Sequence, residues 1–160
     1  MEAGQPGKAS CSCKVKPGST EIVCPLQGKC LDKGVIYEAT VVTEDNVTKK
    51  YIGAASTSFK DRWYNHRSSF LLESKKHQTS LSTYVWKKRD EGMNPVVSYR
   101  AMASAQPYTA DRGRCDLCLR EKVEILLAEE SSSLNKRSEI ACKCRHRYKH
   151  TLAGWDPSIT

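Results

Sequence analysis

The stretch Tyr51–Phe70 (YIGAASTSFKDRWYNHRSSF) changes period halfway along, and that change constrains what the chain around it can build. Its first residues, with Tyr, Ile and a glycine, read as a short strand. Ser58 followed three residues later by Asp61 is a capping-box pattern, so a helix is expected from Phe59. Phe59, Trp63 and Phe70 then recur at helical spacing and should face a core. Arg62 and His66 lie four apart, so they share one face of that helix just beyond the strand end. A guanidinium and an imidazole presented together there could hold and hydrolyse a phosphodiester. The same spacing also fits a plain polar face on an amphipathic helix.

Around this stretch the pattern gives a consistent order of elements. Gly34–Thr43 (GVIYEATVVT) is rich in Val, Ile, Tyr and Thr and predicts a strand. Lys49–Ala55 returns as a second strand after the polar turn Glu44–Thr48, and so short a connection implies an antiparallel hairpin. A second helix is expected from Ser80, with Leu81, Tyr84 and Val85 on one face, ending at Gly92 before Asn94-Pro95. Pro95–Ala103 predicts a third strand and Gln106–Arg114 a loop. Cys115–Glu130 predicts a third helix, with Leu119, Val123, Leu126 and Leu127 on one side and Leu117 and Ile125 on the other. Apolar on two sides, it should be substantially buried. Ser131–Ser133 break it, and the basic remainder has room for one short helix. The order β-β-α-α-β-α implies an α+β fold, a small antiparallel three-stranded sheet flanked by helices. A chain of 160 residues suits one core. Residues 1–30 read as an irregular Cys-rich segment, 31–150 as the folded domain and 151–160 as a tail.

The eight cysteines form the second constellation. No apolar run is long enough to cross a membrane, and Met1–Ser10 has no apolar signal core. An intracellular, reducing setting such as the nucleus is therefore expected, where metal binding is favoured over disulfides. The sequon Asn46-Val47-Thr48 carries no weight in such a setting. Cys115 and Cys118 form a C-x2-C knuckle, and Cys24 and Cys30 a looser pair in CPLQGKC. One zinc on these four residues is the favoured arrangement. The alternative uses two zincs, one on Cys11, Cys13, Cys24 and Cys30, the other on Cys115, Cys118, Cys144 and His146. A closed tetrahedral site has no open position, so either arrangement serves stability and not catalysis. His77 and His150 read as surface residues.

A formal charge of +8 is spread along most of the length and points to a polyanionic partner, most simply DNA. No membrane partner is implied.

Val35-Ile36-Tyr37 on the first strand and Tyr51-Ile52-Gly53 on the second make the sequence resemble the GIY-YIG nuclease superfamily. The first motif departs from it at Val35, where the family usually has glycine. In detail the chain is most similar to the endonuclease domain of Penelope-like retroelements, through CPLQGKC, FKDRWYNHRSSF, LSTYVWK, CDLCLREK, SLNKRSE and CRH, in that order. The likeness spans roughly Cys11–His150. It implies a Mg2+-dependent endonuclease that nicks a strand, with a structural zinc and a reverse transcriptase in cis or in trans as a further partner. The site residues it implies are Tyr37, Tyr51, Arg62, His66, Glu121 and Asn135. Glu121 would bind Mg2+, Arg62 the phosphate, and Tyr37 with His66 the attacking water. Asn135 would orient Glu121 or a metal-bound water, though it could equally cap a following helix. The match at CLREK favours Glu121 over Glu124, which periodicity alone does not separate. A second reading keeps the fold and the zinc but makes the chain a DNA-binding module whose activity has decayed.

Overall fold

The structure, a computed structural model of the chain, describes residues 11, 13, 17–18, 23–141, 144 and 146. A three-stranded antiparallel sheet lies at its centre, with strands β1 (Lys33–Val42), β2 (Thr48–Ser58) and β3 (Val96–Ser104) in the order β2-β1-β3. The expected α+β class and the antiparallel hairpin are both present. β1 is central because helices α1 (Phe59–Leu71) and α2 (Ser80–Asp90) carry the chain from β2 to the far edge, where β3 pairs. Helix α3 (Asp116–Leu127) follows β3, and a short 3-10 turn spans Arg137–Glu139.

The sheet has a core on each face, and the alternation along β1 sorts residues between them. Val35, Tyr37, Ala39 and Val41 face one way and pack with Phe59 of α1, Leu81 and Val85 of α2, and Tyr99 of β3. Ile36 faces the other way and packs with Ile52 of β2 and with Leu117 and Ile125 of α3. Covered on both sides, β1 is buried almost end to end.

β2 runs straight into α1. Ser58 caps that helix, its Oγ accepting from the Asp61 amide at 3.3 Å. Thr79 and Ser82 cap α2 reciprocally, and the helix begins at Ser80 as expected. The outer edge of β2 is covered by the segment after α3: the Lys50 amide donates to Ser132 O at 2.8 Å, and the Leu134 amide to Lys50 O at 2.7 Å.

Helix α3 departs from expectation. Leu117 and Ile125 are buried, but Leu119, Val123, Leu126 and Leu127 are 56, 46, 64 and 77 % exposed. The helix lies on one sheet face with no described element over its outer side, so only one of its two apolar stripes is covered. No described helix is long and apolar enough to cross a bilayer.

Candidate active site and metal centres

Tyr37 is fully buried at the heart of the first core, where three polar side chains meet. Its hydroxyl lies 2.6 Å from His66 Nε2, and Arg62 Nε donates to the same oxygen at 3.2 Å. The phenol thus accepts from the guanidinium and has its own proton free for the imidazole. Burial, reinforced by the Arg62 charge, pushes the His66 pKa down to about 3, so the ring is neutral and able to accept. Burial likewise raises the Tyr37 pKa against the opposing pull of Arg62, which keeps the phenol protonated. Arg62 stays charged: burial disfavours its cation, but Tyr37 and Tyr51 outweigh that and raise its pKa.

Gly53 makes this arrangement possible. It is the cross-strand partner of Tyr37, and a Cβ there would collide with the phenol ring and its oxygen. The glycine of the YIG sequence is thus a space requirement. Gly34 takes a positive φ of 64° at a bulge in β1, one position before Val35.

A cleft of about 450 Å3 opens beside this cluster. It is lined by Tyr51 from β2, Arg62 from α1, Glu121 from α3 and Glu139 from the 3-10 turn. Burial raises the Tyr51 pKa, with both Glu139 and Glu121 adding to the effect, so this phenol is also a protonated donor. Tyr37 and His66 do not line the cleft; they stand behind Arg62. Glu124 faces elsewhere. It pairs with Arg120 at 2.8 Å and lines a second groove with Glu38, Lys50 and Leu127. The cleft therefore distinguishes the two carboxylates that periodicity leaves tied. His77 is exposed and outside the cleft, and His150 lies outside the described residues.

Asn135 has a different place from the one expected. Its Oδ1 accepts from the Ile52 amide at 2.8 Å while Nδ2 donates to Ile52 O at 2.9 Å. The side-chain amide thus imitates a backbone ladder along the open edge of β2, next to Tyr51. Nδ2 also donates to Glu139 Oε2 at 2.7 Å, and Ser80 Oγ donates to the other oxygen of Glu139 at 3.3 Å. Sequence reasoning passed over Glu139. Its only sequence signal is a carboxylate four residues after Asn135, and that is uninformative without the fold.

The cysteines form two centres, which corrects the expected single one on Cys24, Cys30, Cys115 and Cys118. Cys24 and Cys30 belong to the core on the Tyr37 face of the sheet, and Cys115 and Cys118 to the core on the Ile36 face. The sheet stands between the pairs. Each is completed locally: Cys11, Cys13, Cys24 and Cys30 bring their ligand atoms within 4.8 Å of one another, as do Cys115, Cys118, Cys144 and His146. Within them Cys13 Sγ and Cys30 Sγ are 3.5 Å apart, Cys118 Sγ and Cys144 Sγ 3.4 Å, and Cys118 Sγ and His146 Nδ1 3.1 Å. A disulfide would need about 2 Å. Zinc–sulfur bonds of about 2.3 Å put tetrahedral ligands about 3.8 Å apart, which suits these spacings.

The local chemistry also fits a metal such as zinc. Burial works against a Cys24 thiolate, but amides of Leu26 and Gly28 outweigh it and bring the thiol down to about 7. Burial and the neighbouring thiols push Cys13 up to about 12, a strain that a cation in their midst relieves. The second centre borders the cleft, which Cys118, Cys144 and His146 help to line. Cys118 is one turn before Glu121 on α3. No protein-family model, curated protein or solved structure matches the chain.

Proposed function

We propose that this chain is a Mg2+-dependent endonuclease that nicks one strand of DNA, built on a zinc-stabilised GIY-YIG-type domain. The observation that carries the reading is the convergence of Tyr51, Arg62 and Glu121, from three different elements, on one cleft backed by Tyr37 and His66. The resemblance to the endonuclease domain of Penelope-like retroelements and the +8 charge support it.

The oxygen donors of Glu121 and Glu139 suit a hard cation, and bound Mg2+ would supply Lewis-acid polarisation of the phosphate. Arg62 is anchored through Nε on Tyr37 and also bonds the Tyr51 hydroxyl, and the guanidinium N–H groups turned to the cleft would grip the phosphate and offset charge on the pentavalent phosphorus. Tyr51 donates a hydrogen bond from the cleft wall. Tyr37 positions Arg62 and links it to His66. The Arg62 charge adds to burial in disfavouring a protonated His66. A phosphate held on Arg62 would offset that lesser part of the penalty, while burial, the larger part, keeps His66 a neutral acceptor for the Tyr37 proton. The two centres hold structural zinc: one ties Cys11 and Cys13 to Cys24 and Cys30 just before β1, the other fixes the start of α3 and with it Glu121.

The test is conversion of supercoiled plasmid to open circle with Mg2+, against the same reaction in chelator. Metal-dependent nicking supports the enzyme. Tight DNA binding with no nicking under any divalent metal selects the decayed binding module instead.

A further inference from the structure

The two cysteine centres differ in one respect that stability alone does not require. Cys118, Cys144 and His146 of the second centre line the cleft together with Arg62 and Glu121, whereas none of Cys11, Cys13, Cys24 and Cys30 does. Among the ligands that reach the cleft, only His146 has a second polar atom to offer it.

The nitrogen that faces the sulfurs is Nδ1, at 3.1 Å from Cys118 Sγ, 3.4 Å from Cys115 Sγ and 3.9 Å from Cys144 Sγ. A metal gathered by this set therefore takes Nδ1, and the ring proton of a neutral imidazole must then sit on Nε2. Ligation thus fixes the tautomer and makes His146 a hydrogen-bond donor at the edge of the ring away from the metal. Cys115, on the inner side of the centre, is buried in the core on the Ile36 face, while His146 is half-buried and borders the cleft. The ring thus leads outward from the core, and its donor edge belongs to the cleft side. Arg62 and Lys122 line the same cleft, so an anion is the ligand these groups have in common.

We propose that His146, ligated through Nδ1, donates its Nε2–H to a phosphate oxygen of the DNA strand held in the cleft. The zinc of this centre then orients a substrate contact as well as holding the fold. The inference rests on the reading of the cleft as a DNA site.

The test is His146→Cys, which replaces the imidazole with a fourth thiolate and keeps a complete tetrahedral set. Two zincs per chain and a melting temperature near wild type are expected. Nicking of supercoiled plasmid in Mg2+ should fall about 10–100-fold, the worth of one hydrogen bond to a charged group. The extra thiolate also adds a negative charge beside the cleft, and salt separates the two causes. A lost hydrogen bond keeps its deficit relative to wild type as salt is raised, while a charge effect fades. A second measurement needs no variant: in the 15N-labelled, zinc-loaded wild type, the His146 Nε2–H resonance should shift when a short DNA duplex is added with Ca2+ in place of Mg2+. A two-zinc His146→Cys chain that nicks like wild type would overturn the proposal. So would a deficit that salt abolishes, or a His146 Nε2–H resonance that bound DNA leaves unmoved. A wild type that neither binds nor cuts DNA would instead fail the nuclease reading itself, and this inference with it.

Discussion

Tyr37 uses its hydroxyl on two neighbours, accepting from Arg62 and facing neutral His66, while Tyr51 keeps an edge on the cleft. The two tyrosines of the motif pair thus do different work, one positioning and one touching the cleft. Arg62→Lys should lower cleavage by roughly 10²–10³-fold, because a point charge reproduces neither the anchor on Tyr37 nor the fork on a phosphate. DNA affinity should change far less, since the other basic residues supply the general attraction; equal losses in both would make Arg62 a binding residue only. His66 carries a pH prediction. Its folded pKa of about 3 lies below the usual 6.5, so between those values the unfolded chain binds the extra proton. Stability should therefore fall as pH drops from about 6.5 toward 3, by up to about 1.4 kcal/mol per pH unit from this group. Urea denaturation at neutral pH and at about pH 5 should show that slope, and His66→Gln should lack it. Identical slopes would mean that His66 already charges in the folded state.

At the scale of elements, α3 separates what the sequence reveals from what it conceals. Its existence and start are legible, because Cys115 caps it and the apolar spacing is helical. Which side is buried is not, because two apolar stripes look alike until a sheet covers one of them. Leu117→Ala should cost about 2–5 kcal/mol in chemical denaturation, while Leu126→Ala, in dilute solution, should stay within about 0.5 kcal/mol. Comparable losses at both would place α3 differently. The strands and α1 are readable for the same reason of period, and so is the shared face of Arg62 and His66, whereas Tyr37 joins them in the sequence only through the resemblance to the GIY-YIG nucleases. Asn135 is not, because its partner Ile52 is 83 residues away and the bonds go to backbone groups. Nor is the division of cysteines, which rests on which face of the sheet each pair joins. Spacing permits the two-centre division, which the sequence offers as the alternative, but does not choose it over the single centre.

For the whole molecule, the two centres make a countable claim. Elemental analysis of the reduced chain should give about two zincs, with Cys24→Ser and Cys115→Ser each removing a different one. Zinc peptides bind their metal with an apparent free energy on the order of 10 kcal/mol, so a strong chelator should unfold or severely destabilise the domain. The effects should differ in kind. Loss of the centre at Cys115, Cys118, Cys144 and His146 disturbs the wall of the cleft and so should depress nicking even at temperatures where the chain stays folded. Cys24→Ser should act through stability alone. One zinc removed by either substitution would restore the single four-cysteine centre. The central claim, that the cleft cuts DNA through the carboxylate facing Arg62, is met most directly by comparing Glu121→Gln with Glu124→Gln on supercoiled plasmid in Mg2+. Both substitutions keep volume and remove a charge, and the two positions are one helical turn apart. Glu121→Gln should lose nicking by orders of magnitude with its fold and zinc content intact, while Glu124→Gln stays close to wild type. An active Glu121→Gln, or a dead Glu124→Gln beside it, would contradict the account.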